Sequence, residues 1–488
     1  MNHGMPDMII RALAVLLFFS VAALAQQTEP KTDQPAREAL ERAGAYFRDN
    51  LGVNGTYVWR YSPDGAKREG EGGSVSATEG WVQPPGTPAV GAAFLRIFEV
   101  TGNRQWLDAA EKVATALVDT QLLSGGWFYA IETDPDLAKN WCYRALGRDR
   151  KACRRIEGNR QRNRTVMDDN NTASVLAFLI WFDEASGGRN GAVRDAIDYG
   201  LERLLDVQYP NGAVPAFFSD GAPGADVDVA AKAVMPPSWA PTWQKPDTPP
   251  YFIINDNLPR DTGRLFLLAY GVYRNPAYLR AAMRIGDFLV AAQLPHPQQG
   301  WAQQYDRTLQ PVWGRKFEPP ALASSETAGS ISYLLELYQQ THKARYLEVA
   351  KSAGEWLRAA RLPDDTWARF YELNTNRPLY VDNDNKITFD TGNLLGHYNM
   401  KNVFEIPAVL GQLASAERDK QAVERLSFWE DPADELDQGD LTTRAVELIE
   451  TQDPEGRWID GDWVDGARFV ENVFVLARFV ALENEKGL

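Results

Sequence analysis

The stretch Trp106–Gln121, WLDAAEKVATALVDTQ, decides how the chain is read. Its apolar residues recur at three- and four-residue spacing, the pattern of an amphipathic helix with one buried face. The same pattern returns in AVRDAIDYGLERLLDVQ (Ala192–Gln208), YLRAAMRIGDFLVAAQ (Tyr278–Gln293) and YLEVAKSAGEWLRAAR (Tyr346–Arg361). Each copy ends in Gln or Arg, and a cluster of Gly, Pro or Trp follows it. Degenerate copies begin at Ala36 and at Thr442. The chain is therefore an internal repeat.

A second helical stretch precedes each of the four clear copies: AVGAAFLRIFEV, TASVLAFLIWFDEA, TGRLFLLAYGVY and SETAGSISYLLELYQQ. Short turns such as TGNRQ, RNPA and THKAR join the two. The unit is helix, tight turn, helix, long loop, and about six such pairs stack into a solenoid or close into a ring. The expected fold is all-α, an α/α toroid, incomplete or closed, with long functional loops at one end. Residues 26–415 are read as the toroid. Residues 416–488 are read as an acidic linker and a C-terminal helix pair packing on it. The sequence leaves open whether the two chain ends close the ring or dock as separate pieces.

Bulk properties narrow the class. The chain has 488 residues, enough for a large buried core. Arg11 precedes a largely apolar run, Ala12–Ala25, that ends in Ala-Leu-Ala. This pattern describes a secretory signal over residues 1–25, and the run is too short to span a bilayer. A periplasmic or secreted monomer is expected, with no membrane attachment after signal cleavage. Two cysteines, Cys142 and Cys153, fit a disulfide in an oxidising compartment. The net charge of −15 argues against nucleic acid as a partner. The run Arg144–Arg164 opposes that sign, and reads either as a solvated loop or as an anion-facing surface.

Antiparallel pairs put every long loop at the same end, so distant loops form one rim able to hold a ligand. That rim carries Asp168 and Asp169 in DDNN, and Asp256 in NDN. Each acid could simply cap a helix. Clustered with amides, they also suit Ca²⁺, which takes oxygen ligands. The rim carries Arg315, Arg369 and Arg377, which pair locally with Glu or meet carboxylates of a ligand. It also carries Trp301, Tyr305, Trp367 and Tyr371, expected to be exposed and to stack on sugar rings. Guanidiniums, a cation site and aromatics together point to an acidic polysaccharide.

The pieces WARFYELNTNRPLY, WGRKFEPPAL, VQYPNG, DDNNTA and IINDN resemble motifs of polysaccharide lyase family ten, the pectate lyases on an α/α toroid. The resemblance runs from about Thr165 to Tyr380. It implies Ca²⁺-assisted β-elimination of polygalacturonate. By its analogy Asp169 and Asp256 are Ca²⁺ ligands with Asp168 beside them, Arg315 is the base at C5, and Arg369 and Arg377 hold substrate carboxylates. A guanidinium has a pKa above about 12, so a base role needs a strongly positive, partly dry pocket. The chain departs from the family at Asp382-Asn383-Asp384, where an arginine is usual, at Gly212-Ala213-Val214-Pro215, which lacks a Trp, and at Asn257, where an acid is frequent. Two other readings stay open: a metal-free inverting glycoside hydrolase using Asp169 and Asp256, and a non-catalytic binder of acidic glycans.

Overall fold

A computed structural model describes residues 33–156, 159–221, 231–243, 245, 252–418, 428–429 and 431–486. The signal segment, residues 1–25, lies outside them. Twelve helices build the ring. They are α1 (Gln34–Tyr46), α2 (Thr87–Thr101), α3 (Arg104–Asp119), α4 (Asn171–Ala185), α5 (Gly191–Val207) and α6 (Leu258–Tyr273). The others are α7 (Pro276–Ala292), α8 (Ser324–Thr341), α9 (Ala344–Ala359), α10 (Ile406–Arg418), α11 (Gln438–Thr451) and α12 (Gly466–Lys486).

The even-numbered helices pack side by side in the order α12, α2, α4, α6, α8, α10. The odd-numbered helices clad them, α3 on α2, α7 on α6 and α9 on α8. Helix α1, first in the chain, packs on α12 and touches α11. The fold is an α/α toroid, and α11, α12 and α1 bring the two chain ends together within it. The tight turns have a simple chemistry. Gly102 and Arg274 take left-handed φ values of 70° and 56° to end α2 and α6. Asn103 and Asn275 then cap α3 and α7 by accepting a backbone N–H.

The repeated glutamine explains the outer layer. Gln121 Nε2 donates to Gly125 O (2.9 Å) and to Ala196 O of α5 (2.8 Å). Gln208 Nε2 does the same with Gly212 O (2.9 Å) and Ala281 O of α7 (3.1 Å). Gln293 donates to Val349 O of α9 (3.1 Å), and Gln452 to Ala39 O of α1 (2.9 Å). At Gln121, Gln208 and Gln452 one amide thus ties the end of the outer helix both to its own loop and to the next outer helix, whereas Gln293 directs both donors to the next helix, at Val349 and Ser352. The last of these ties joins residues 413 positions apart.

The aromatics next to these loops belong to the same joint. Trp127, Trp301, Trp367 and Trp458 each donate the indole N–H to a carbonyl of their own outer helix, at Leu117, Leu289, Leu357 and Leu448 (2.7–2.8 Å). Tyr305 and Tyr371 accept from the backbone of Ala302 and Ala368, and Tyr371 also donates to Ala360 O (2.6 Å). Trp301 and Tyr305 are fully buried, and Trp367 and Tyr371 nearly so. This corrects the expectation that these four residues stack on substrate. They are core, because a loop that must turn back onto its helix buries large amphipathic rings whose polar edge satisfies a helix carbonyl.

Short strands then link each long loop to the next. Residues 464–465 pair with 60–61, 79–81 with 130–132, 165–166 with 217–218, 252–253 with 304–305, and 322–323 with 370–371. The rim is a hydrogen-bonded belt. No described helix is long and apolar enough to cross a membrane.

Gly212 shows how tight the joint is. Its φ is +98°, and a Cβ there would lie 1.9 Å from Arg284 O on α7. Gly212→Ala is expected to cost about 3 kcal/mol or more of unfolding free energy. Chemical denaturation would check this; a loss below about 1 kcal/mol would show that the loop is free to shift.

Candidate functional site

Two inner helices begin with the same backbone device. Asp169 and Asn170, before α4, both take left-handed conformations (φ 50° and 56°). Asp256 and Asn257, before α6, repeat them (φ 50° and 57°). Asn and Asp are the side-chain-bearing residues that tolerate this region best, so the sequence DN at both places is a local requirement. The consequence is chemical. The doubled turn points both acids at one spot, and Asp168, Asp169 and Asp256 present oxygens all within 4.8 Å of one another. Asn257 lies apart from this focus. Its Oδ1 rests on α8, where a Cβ on Gly329 would meet it at 1.9 Å.

The cluster is half-buried and short of donors. Tyr129 Oη donates to Asp169 Oδ2 (3.1 Å), and Asn255 Nδ2 to Asp256 Oδ2. Asp168 Oδ1 and Asn170 Oδ1 are buried with no hydrogen-bond partner. Burial first, and the neighbouring carboxylates second, push Asp168 up to about 7 and Asp256 up to about 8. Burial also raises Asp169, against the Tyr129 hydrogen bond and the charge of Arg315. Unpartnered acceptors beside close carboxylates fit a hard cation with oxygen coordination, such as Ca²⁺.

Arg315 faces this cluster, and its charge is felt by all three acids. Its Nε donates to Glu318 Oε1 (2.7 Å), and its guanidinium lies over Phe317 and Tyr398. Burial lowers its pKa, but the Glu318 hydrogen bond and charge outweigh that, so the pKa is raised. The pocket around Arg315 is acidic here, the opposite of the positive pocket that a base role requires. Arg369 reaches the same cleft. It donates to Ser325 Oγ (3.3 Å), stands 3.6 Å from Glu326 and covers Tyr398. Arg377 stacks on Phe389 of the adjoining hairpin, with its guanidinium 3.6 Å from the ring centre.

Several site groups escape the sequence reading, whereas Glu318 enters it only as the local partner of Arg315. Gln303 Nε2 joins Asn255, Glu326 and Tyr398 (2.7–3.0 Å) at the floor of the cleft. Glu318 and Glu326 are buried carboxylates. Tyr398 donates to Glu318 (3.1 Å). Glu71, at the tip of the hairpin pairing 68–70 with 73–74, is charge-coupled to Asp169 and Arg315. Only the Arg315-x-x-Glu318 spacing carries a signal in the sequence. Cys142 and Cys153 form a disulfide in the loop between α3 and α4.

The molecule is thus an α/α toroid with an acidic, arginine-flanked cleft at its loop end. Residues 275–366 match the family model described as pectic acid lyase, which relates the chain to the polysaccharide lyases. The match includes Arg315, Glu318 and Glu326 and lies outside the three aspartates. The chain is similar to a family 10 polysaccharide lyase from Cellvibrio cellulosa, solved as a mutant with trigalacturonic acid. That likeness has 18% identity over 67% of this chain and 97% of that one, with a TM-score of 0.44. It is also similar to a cellobiose 2-epimerase from Bacillus thermoamylovorans (11% identity, 93% and 99% covered, TM-score 0.49). A further similarity is to a family 76 α-mannanase from Bacteroides thetaiotaomicron (11%, 93% and 97%, 0.46). No curated protein matches the chain.

The raised aspartates give a stability signature without any ligand. Folded, Asp168 and Asp256 hold protons up to about 7 and about 8. Unfolded, they release them near 4. Their contribution to stability is therefore full below about pH 4 and is lost as pH rises to about 8. In chelator, wild-type unfolding midpoints should fall between pH 5 and 8, and the Asp168→Asn, Asp256→Asn double variant should show a flatter profile. An equal slope in the double variant would exclude the cluster as its source.

Proposed function

We propose that this chain cleaves a uronate polysaccharide by β-elimination with Ca²⁺ held at Asp168, Asp169 and Asp256. Polygalacturonate is the simplest substrate of this class. The observation that carries the reading is the cluster itself: close carboxylates and unpartnered buried oxygens beside guanidiniums, in one cleft. The pectic acid lyase match over residues 275–366 supports lyase chemistry. The apolar run Ala12–Ala25 after Arg11 favours action in the periplasm or outside the cell.

The reaction removes the weakly acidic proton at C5 of a uronate and expels the 4-linked sugar. A bound cation would neutralise the substrate carboxylate and stabilise the enolate-like charge that develops. Arg315, whose charge reaches all three aspartates, would be the group acting at C5. In the cation-free cleft Glu318 and Asp256 hold its proton. Arg315 serves as base only where those charges are offset; otherwise it supplies a fixed positive charge to the transition state. Arg369, carried on Tyr398 and Ser325, would orient the sugar through its carboxylate.

Incubation of the mature chain with polygalacturonate should yield unsaturated ends absorbing in the near ultraviolet, and chelator should abolish them. New reducing ends without that absorbance would mean hydrolysis, and binding without product a glycan-binding protein. Asp169→Ala should raise the Ca²⁺ needed for half-maximal rate roughly tenfold or more; an unchanged requirement would remove it as a ligand.

The two roles of Arg315 separate in Glu318→Gln. Loss of the Glu318 charge lowers the Arg315 pKa, so a base role predicts that the alkaline pH optimum moves down. A fixed-charge role predicts lower activity at an unshifted optimum. Arg315→Ala should remove turnover in either case without unfolding the protein, read by circular dichroism; retained turnover would reassign the base.

A further inference from the structure

The basic run Arg144–Arg164 resolves into three kinds of arginine. Arg144 pairs with Asp195 (2.8 Å) and lies on Tyr199. Arg154 pairs with Asp220 (3.0 Å), and Arg150 stands 3.8 Å from the same acid. Arg162 covers Trp141 on the disulfide loop. These are a solvated, locally paired surface. Arg164 is different. It is half-buried, and its guanidinium lies 3.9 Å from the centre of the Phe217 ring. It precedes the strand Thr165–Val166, which pairs with Phe217–Phe218 and leads directly into Asp168.

Arg164 is electrostatically coupled to Tyr129, which donates to Asp169, and to Asp168, three residues on from the start of its strand. Among the described residues no carboxylate stands within ion-pair distance of it. The contrast with the other cleft arginines is the point. Arg315 is bound by Glu318, and Arg369 stands against Glu326. Both already have protein carboxylates as partners, whereas Arg164 is partly stripped of water, fixed on an aromatic face, and lacks an anion. Burial lowers its pKa, as expected of a guanidinium with no counter-charge in contact. The planar fork of a guanidinium matches one carboxylate.

We infer that Arg164 binds the carboxylate of a uronate residue of the substrate on the Tyr129 side of the Asp168–Asp169–Asp256 cluster, and so selects a free acid over its ester. This rests on the uronate reading of the site and adds to it a determinant outside the segment that matches the lyase family model. Phe217 sets the plane of the guanidinium, and the 165–166 and 217–218 pairing fixes its height against Asp168. A methyl ester at that position accepts weaker hydrogen bonds and carries no charge, so the site would lose most of its preference for it.

The test compares wild type, Arg164→Gln and Arg164→Lys on polygalacturonate and on highly methyl-esterified pectin. Both variants are first checked for wild-type circular dichroism. On polygalacturonate, Arg164→Gln should raise KM roughly tenfold or more while kcat changes much less, and Arg164→Lys should recover part of the loss. On the esterified polymer the same change should alter KM by less than about threefold. Equal losses on both polymers, or an unchanged KM on polygalacturonate, would overturn the inference. If wild type forms no unsaturated product, the lyase reading fails by itself. Arg164 is then read by affinity electrophoresis through gels containing each polymer. Retardation by polygalacturonate that is lost in Arg164→Gln upholds carboxylate binding, and no retardation of wild type ends it.

Discussion

One side-chain amide organises this molecule. A glutamine at the end of an outer helix donates one N–H to its own loop and the other to the next outer helix, at Gln121, Gln208 and Gln452. A backbone carbonyl that emerges between packed helices is costly if left bare, and a single net hydrogen bond contributes about 1 kcal/mol. The importance of the joint lies in geometry more than in sum. It fixes where each long loop starts relative to its neighbour, and a glycine with positive φ keeps the contact close at Gly125, Gly212 and Gly456. The indole of Trp127, Trp301 or Trp458 then closes the loop back on its helix. Loops held this way have few places to go, and their edges find one another as the paired strands of the rim.

The cleft follows from that belt. Asp169 and Asp256 lie 87 positions apart in chain numbering, on different inner helices, yet the same two-residue left-handed turn aims both at one point. Such a turn is strained for most residues and mild for Asp and Asn. The site thereby concentrates carboxylates where water is scarce. Burial, and after it the neighbouring carboxylates, therefore hold protons on Asp168 and Asp256 to near-neutral pH.

Legibility in the sequence divides along the same line. The helices were readable because burial of one face imposes its period directly on the chain, and the tight turns because Gly and Asn have the required backbone. Asp168, Asp169 and Asp256 were readable because their doubled Asp and Asn residues are a local pattern. The loop aromatics misled. A Trp after a Gly in a long connection looks the same whether its ring faces a sugar or its N–H closes on Leu289, and only the packing distinguishes them. Glu326, Gln303 and Tyr398 carry no local mark at all, and Arg164 is marked only as the last member of a basic run. They become a site only when strands from four different loops are laid edge to edge, a relation that single-sequence periodicity does not contain.

The balance of charge sets a further condition on the proposed reaction. Asp168, Asp169, Asp256, Glu318, Glu326 and Glu71 face Arg164, Arg315 and Arg369 across one cleft. Without a cation the balance is negative, and a polymer of carboxylates is repelled by it. A bound divalent cation would offset most of that charge at the point where the sugar must sit. The polymer, in turn, would add oxygen ligands to the cation. Two ligands that each improve the site for the other are linked reciprocally, so affinity for the polymer and affinity for the cation must rise together. The buried glutamates that hold Arg315 and Arg369 are then part of the mechanism. By keeping both guanidiniums in place and partly neutralised, they would leave a bound cation to decide whether the proposed substrate enters.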